Sequence, residues 1–390
     1  MERIGEKLLN WARVLEDNTR AQAEAAAGMP FIHPHLALMP DAHLGKGATV
    51  GSVIPTLGAV MPAAVGVDIG CGMIAVRTQF TEDEFRGGRQ LRSLRRSVEH
   101  AVPLSAGKYN RSLTASAQRR VEQLTQRAEA DGFDPGESAR NWQLQLGTLG
   151  SGNHFIEVSV DERSRVWLFL HSGSRGVGNK IAQRHIKTAQ VLCQRENVQL
   201  PDRDLAYLTD DTDEFWHYIA ELRWAQEFAL LNREEMIDRV VSCVQDWIGT
   251  DVVEHERINC HHNFTQRERH FGKEVWVSRK GAIEATEGLA GVIPGSMGTA
   301  SYVVTGKANA ASLNSAPHGA GRNYSRSAAK RTFTRDELRT AMTGIEYRDS
   351  EAFLDEIPQA YKDIDVVMAD AADLVEITHT LRQIVNVKGD

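Results

Sequence analysis

The stretch Val65-Gly66-Val67-Asp68-Ile69-Gly70-Cys71-Gly72-Met73 constrains this chain most. Its apolar run reads as a buried strand, and it ends in a glycine-spaced turn carrying one carboxylate and one thiol. Glycine lets the backbone bend sharply there and come close to a ligand. Asp68 and Cys71 stand three apart on the turn, so both heads can face one space. A carboxylate and a thiolate offered together suit a borderline divalent cation such as Mn, Fe, Co or Zn. Taken alone, the pattern equally describes a small buried cysteine beside a turn-capping aspartate.

The same device recurs along the chain. Leu146 to Gly152 is a glycine-rich turn that delivers Asn153 and His154 to an apolar strand, with Glu157 close behind. The run Val166 to Leu170 ends in His171-Ser172-Gly173-Ser174-Arg175-Gly176, where hydroxyls, backbone N–H groups and a guanidinium compose a phosphate pocket. Ile258 to Asn263 reads as a strand ending in His261 and His262, of which alternation turns one inward. Pro294 to Thr299 and Asn314 to Arg322 are further small-residue loops, the second holding His318. Met39 to Gly47 lacks P-loop spacing. It is either plain turn chemistry or a turn bringing Asp41 and His43 to a site wall.

Composition narrows the class. With 42% hydrophobic and 25% charged residues over 390 positions, the chain is an ordinary globular protein with a large core. Its four cysteines are scattered with no Cys-x-x-Cys pair, a pattern that suggests neither a disulfide framework nor a classical zinc finger and fits a reducing cytoplasm. No signal-type leader or membrane-length apolar run is present in the sequence. A net charge of -7 argues against a non-specific nucleic-acid coat and leaves room for a local basic groove.

Helical spacing predicts a helix-rich segment from Glu2 to about Gly28, then a sheet with tight turns from Phe31 to Phe80. Residues 81 to about 140 are the most charged and are expected to be the least ordered, peripheral part, with an exposed helix over Gln118 to Ala130. Long helices are predicted at Asn179 to about Glu196 and Asp213 to Trp247, and two more ending at Gln383. With no linker or repeat, residues 1–390 read as a single intertwined α+β domain, with central β-sheets and long flanking helices.

Strand-end and glycine-loop positions together supply Asp68, Cys71, His154, His171, His262 and His318. That exceeds one tetrahedral zinc and suffices for two metals sharing a thiolate. With Asn153, Glu157, Asn263, Ser296, Ser301 and Arg175 as hydrogen-bonding groups, the set indicates a metal-dependent enzyme acting on phosphates.

The motifs carry the reading further. Pro40-Asp41-Ala42-His43-Leu44-Gly45-Lys46-Gly47, Gly66 to Gly72, Gly152 to Glu157, His171 to Gly176, His261-His262-Asn263, Pro294 to Gly298, His318 to Arg322 and Val387-Lys388-Gly389 resemble, end to end, the RtcB family of RNA-splicing ligases. The resemblance implies an RtcB-like fold and a GTP- and Mn-dependent joining of RNA ends. A 2′,3′-cyclic phosphate or 3′-phosphate end is joined to a 5′-hydroxyl end, as in tRNA splicing or RNA repair. It implies two Mn ions, one on Asp68, Cys71 and His154, the other on Cys71, His171 and His262. His318 is then the nucleophile that takes GMP from GTP. The nucleotide cradle is Asn153, His154, Phe155, Ile156, Glu157, His262, Asn263, Pro294, Gly295, Ser296, Met297, Ser301, Gly319, Ala320, Gly321 and Lys388, with Tyr361 packing on guanine. Arg175 and Arg322, with Arg326, are the candidates for RNA phosphates from charge and position. The expected setting is a cytoplasmic monomer with no membrane contact and room for an activating partner protein.

Pro317, directly before His318, stands where the family is expected to carry a small polar residue. Proline fixes its own φ and restricts Ala316, so it either presets the loop or displaces His318. Two alternatives keep part of this site: a paralogue for nucleic-acid end repair or capping, and a two-metal phosphoesterase, which would need neither His318 nor Lys388.

Overall fold

The computed structural model describes all residues, 1–390. Two sheets face each other. The first has six strands in the order Glu2–Arg3, Leu8–Asn10, Leu36–His43, Val50–Thr56, Lys273–Lys280 and Asn263–His270. The second has seven, in the order Glu254–His261, Gly72–Thr81, Arg165–Ser172, Phe155–Val160, Val375–Lys388, Ser301–Gly306 and Ala290–Ile293. Alternation decides what each face meets. Met73, Ala75, Phe155 and Phe169 of the second sheet join Ala37, Val53, Val275 and Val277 of the first in a core of 31 buried residues. Ile74, Val76, Ile156, Leu168 and Leu170 point the other way, against Leu94, Val98, Met236, Ile237 and Val240. The helices that cover that face are Leu91–Ala101 and the 36-residue Asp213–Ile248.

The long helix starts on a Thr212 side-chain cap and stops at Gly249 in the left-handed conformation. Helices Arg175–Arg195 and Ala115–Ala130 pack beside it around Trp224, Phe228 and Trp142. The predicted helix within 81–140 buries Ala117, Val121, Leu124 and Ala128, one face of four spaced at helical intervals. The α+β class and the two long helices follow the sequence reading.

Three local expectations are corrected. Leu8 and Leu9 are not helical; they form a wholly buried strand parallel to Leu36–Leu38, and the helix begins only at Asp17. Adjacent leucines that are both buried suit a strand covered on both faces. The run before the thiol turn is not a strand either. It is the short helix Pro62–Val65, opened by proline at its first position, and the strand follows the turn, at Gly72–Thr81. At the other end, no helix reaches Gln383. Short helices stop at Asp370, and Val375–Lys388 is a 14-residue strand between Phe155–Val160 and Ser301–Gly306. Its two-residue periodicity sends Val385 and Val387 into the core and leaves Asn386 and Lys388 to the opposite side.

Candidate active site

Register brings the site together at one end of the second sheet. Gly72 pairs with Ser172 and with His261, while His171 stands opposite both Met73 and Phe155. Cys71, His154, His171 and His262 each sit at or beside one of these level strand ends. Asp68 reaches the same point from the turn. Gly173 is required there, since a Cβ would collide with the Asp68 carboxylate.

The ligating atoms converge. Cys71 Sγ lies 3.2 Å from His171 Nε2 and 3.5 Å from His154 Nε2. His154 Nε2 is 3.0 Å from Asp68 Oδ2, and His171 Nε2 is 2.9 Å from His262 Nε2. Each imidazole is oriented through its other nitrogen. Nδ1 of His154 lies 2.9 Å from Leu149 O, that of His171 3.1 Å from Asn153 O, and that of His262 3.3 Å from Asn263 Oδ1. Those acceptors hold the proton on Nδ1 and leave three Nε2 lone pairs aimed at one another and at the thiol. Burial pushes His171 and His262 well below the ordinary imidazole range, so both rings are neutral. Burial, with Asp68 nearby, pushes the Cys71 thiol up. Facing lone pairs beside a buried thiol call for a cation between them, and the set divides into two triads, Asp68–Cys71–His154 and Cys71–His171–His262. A soft thiolate, neutral imidazoles and one carboxylate fit two borderline divalent ions bridged by sulfur.

Beside this centre opens a cavity of about 330 Å³, within the size range of small-molecule sites. His318 lines it, its ring centroid 4.7 Å from that of His262. His318 Nδ1 is 2.6 Å from Oδ2 of the fully buried Asp41, and the same oxygen accepts the backbone N–H groups of His318 and Gly319 at 3.2 Å. Asp41 thus fixes the loop through its two backbone bonds and sets its carboxylate beside the ring at Nδ1, with Nε2 turned away from that charge. Pro317 ends a short strand paired with Ala282–Glu284, and His318 follows it directly into this contact.

The cavity wall holds Asn153, Phe155, Glu157, Asn263, Pro294 to Met297, Gly319 to Gly321, Tyr361 and Lys388. Glu157 is wholly buried and its carboxyl is pushed up to about 8 by burial, against the opposing pull of Lys388 and Asn386. Asn386 Nδ2 donates to Glu157 Oε1 at 3.1 Å, and Lys388 Nζ donates to His154 O at 3.3 Å.

The match to known proteins is as extensive as the motifs. A family model described as "RtcB: tRNA-splicing ligase RtcB" covers residues 22–389. The RNA-splicing ligase RtcB of Escherichia coli K12 is 47% identical, over 96% of this chain and 95% of that protein. The chain belongs to the RtcB family.

More distant RtcB proteins align as fully. The tRNA-splicing ligase RtcB of Aeropyrum pernix is 31% identical over 97% of this chain and 92% of its own, and that of Thermococcus kodakarensis 30% over 91% and 87%. Against the RtcB expectations, Asp68, Cys71, His154, His171, His262 and His318 all gather at the site. Three cradle residues do not line the cavity. His154 faces Asp68 and Cys71 instead. Ile156 turns to the helix-covered face, as the residue between Phe155 and Glu157 must, and Ser301 is buried at the start of its strand. Arg175 begins a helix at φ 59°, with its guanidinium under the Gly150 turn and Nε 3.3 Å from Thr148 Oγ1, outside the cavity wall. Arg322 lines the wall, 4.7 Å above the Tyr361 ring.

Several wall residues were not singled out from the sequence. Lys280 is buried beside the thiol turn, its ammonium pushed down to about 7 by burial, donating to Ala63 O at 3.0 Å and to Lys46 O. Nothing in its strand marks it. Asn386 was legible in the alternation Val385-Asn386-Val387-Lys388 had that segment been read as a strand. Glu356 sits in an acidic stretch that resembles solvated surface.

Proposed function

We propose that this chain is a GTP- and Mn-dependent RNA ligase, acting as one catalytic unit. It joins RNA ends bearing a 2′,3′-cyclic phosphate or a 3′-phosphate to 5′-hydroxyl ends. The observation that carries this reading is the thiol of Cys71 shared between two histidine-bearing triads next to an Asp41-held histidine at a nucleotide-sized cavity. A phosphoesterase has use for the triads but none for that histidine or for Lys388.

Asp68, Cys71 and His154 would hold one manganese ion, and Cys71, His171 and His262 the other; when bound, the ions supply positive charge that offsets charge developing on phosphate oxygens. His318 Nε2 attacks the α-phosphorus of GTP. The N–P bond forms, the bond to the bridging oxygen breaks, and pyrophosphate leaves. Asp41 holds the Nδ1 proton through this step and balances the charge that the ring acquires on phosphorylation. A 3′-phosphate oxygen of RNA then displaces His318 and takes GMP. Finally the 5′-hydroxyl oxygen attacks the 3′-phosphorus, losing its proton to solvent, GMP leaves, and the phosphodiester is complete. A 2′,3′-cyclic phosphate end is first hydrolysed, water breaking the P–O2′ bond to give the 3′-phosphate. Glu157, Lys388 and the Pro294 to Met297 loop position the nucleotide and shield it from water.

The test is incubation with α-labelled GTP and Mn, comparing wild type with His318→Ala on a denaturing gel. An acid-labile label confined to the wild type is expected. Metal-replete wild type that takes no label refutes the ligase reading.

A further inference from the structure

The chemistry above leaves one buried ionic group without a task. Glu356 closes the turn Glu351–Glu356 and is 5% exposed, yet four side chains converge on its carboxylate. Oε2 accepts the Tyr361 hydroxyl at 2.8 Å and lies 3.1 Å from Lys388 Nζ. Oε1 lies 2.7 Å from Arg326 Nη1 and 3.3 Å from Arg322 Nη1. Asp355 adds a carboxylate 2.8 Å from Arg326 Nη1, and its carbonyl accepts from Arg322 Nη2 at 2.6 Å. Arg322 directs its other bonds to Tyr324 O at 3.0 Å and to the Tyr361 hydroxyl at 2.7 Å. The residue expected to grip RNA is therefore already gripped.

Arg326 differs. Its side chain is 44% exposed, and a Cβ placed on Gly152 would stand 3.4 Å from its Nη2, so the outer edge of the fork faces the turn that carries Asn153. Glu356, Arg322, Arg326, Tyr361 and Lys388 all line the cavity that holds His318. Arg322, Arg326 and Lys388 there share the two carboxylates, with Lys330 3.4 Å from Asp355 on the outer side, so most of the wall's positive charge is countered internally and a surplus of cations remains.

An incoming anion must compete with Glu356 for those forks. An internal phosphodiester carries one negative charge, as the carboxylate does, and gains little from the exchange. A terminal phosphate monoester carries close to two charges at neutral pH and three strong acceptor oxygens, enough to engage both guanidinium groups. We propose that Glu356 is a specificity-determining residue, an internal anion that withholds Arg322 and Arg326 from phosphodiesters and yields them to a terminal phosphate. This rests on the RNA-ligase reading, and it assigns that reading's substrate preference to a named group.

The experiment measures binding without turnover. Fluorescein-labelled single-stranded RNAs identical except for a 3′-phosphate or a 3′-hydroxyl are titrated by anisotropy, in chelator and without GTP, so that only protein groups recognise the end. Wild type is expected to prefer the 3′-phosphate strand. Glu356→Gln is expected to bind the 3′-hydroxyl strand more tightly, contracting the preference about tenfold and steepening that strand's salt dependence by ~0.7 for each cation released. A merely structural role would weaken both strands instead. Should the Gln variant fail to fold, Glu356→Asp carries the test: it keeps the charge but draws it back by one methylene, and an intermediate contraction is expected. A wild-type preference that survives unchanged in the folded variants overturns the role of Glu356 and leaves the ligase reading standing. A wild type with no preference, although labelled by GTP at His318, overturns the role of Glu356 alone; one that is neither labelled nor selective overturns both.

Discussion

If the proposed nucleotide places its guanine edge on Glu157, binding is proton-linked. A guanine edge presents N–H donors, so a carboxyl that receives them must be ionised. Glu157 is buried with Asn386 as its hydrogen-bond partner and holds its proton up to about pH 8. At pH 7 about one molecule in eleven has it ionised, which costs binding about 1.4 kcal/mol, or a factor of about ten, relative to high pH. The prediction is that log Kd for GTP falls with a slope approaching -1 between pH 6 and about 7.5, and levels above about 8. Calorimetry on the His318→Ala protein isolates binding from turnover, and repeating it in buffers of different ionisation enthalpy counts the proton released. Glu157→Gln should abolish both the slope and the proton release. In the nucleotide-free protein the sign is the opposite of an ordinary carboxylate. The folded state keeps a proton that the unfolded chain loses near pH 4.5, so stability falls as pH rises from about 4.5 to 8, and the Gln variant lacks that fall. A GTP affinity flat from pH 6 to 8.5, with no buffer-dependent heat, refutes the reasoning.

Three further outcomes are expected. Asp41→Asn removes the charge 2.6 Å from His318 Nδ1 that balances the ring and should slow guanylate transfer to His318 by about 10- to 100-fold in a single-turnover labelling assay. Cys71→Ser takes one donor from both triads, so Mn content measured by mass spectrometry should drop to background at both positions together, whereas His262→Ala should spare the Asp68 triad. Trp224→Ala empties a fully buried position ringed by Trp142, Phe133 and Phe228 and should lower unfolding free energy by about 3–5 kcal/mol in urea denaturation.

The site was more legible in the sequence than the scaffold. Metal chemistry leaves local marks: Asp68, Cys71, His154 and His171 stand in glycine-rich turns, because a backbone that must approach a ligand closely excludes side chains nearby. Helices of the length of Asp213–Ile248 announce themselves by period. Short buried elements do not, and Leu8-Leu9 and Pro62 to Val65 were misread because two or three apolar residues fit either period. The segment up to Gln383 reads as helix since Thr378 to Gln383 lacks clean alternation; a register shift between Gln383 and Val385 breaks the pattern there. Glu356 and Lys280 were invisible for another reason. Their roles come from neighbours distant in sequence, Lys388 for the one and Ala63 for the other, and no local pattern encodes such a meeting.

The strand Val375–Lys388 has a consequence for the site as a whole. It lies between Phe155–Val160 and Ser301–Gly306 and supplies the backbone ladder that joins the two parts of the seven-stranded sheet. Lys388 meets His154 across 234 residues and Asn386 meets Glu157 across 229, contacts of the slow-forming kind. The triads and His318 belong to segments that precede it. The ligand triads and the cavity wall are therefore separable: a chain in which this strand is displaced would keep Asp68, Cys71, His154, His171 and His262 but lose Asn386 and Lys388 from the wall. One strand thus completes both the sheet and the cavity wall, which ties the integrity of the site to the last stretch of the fold.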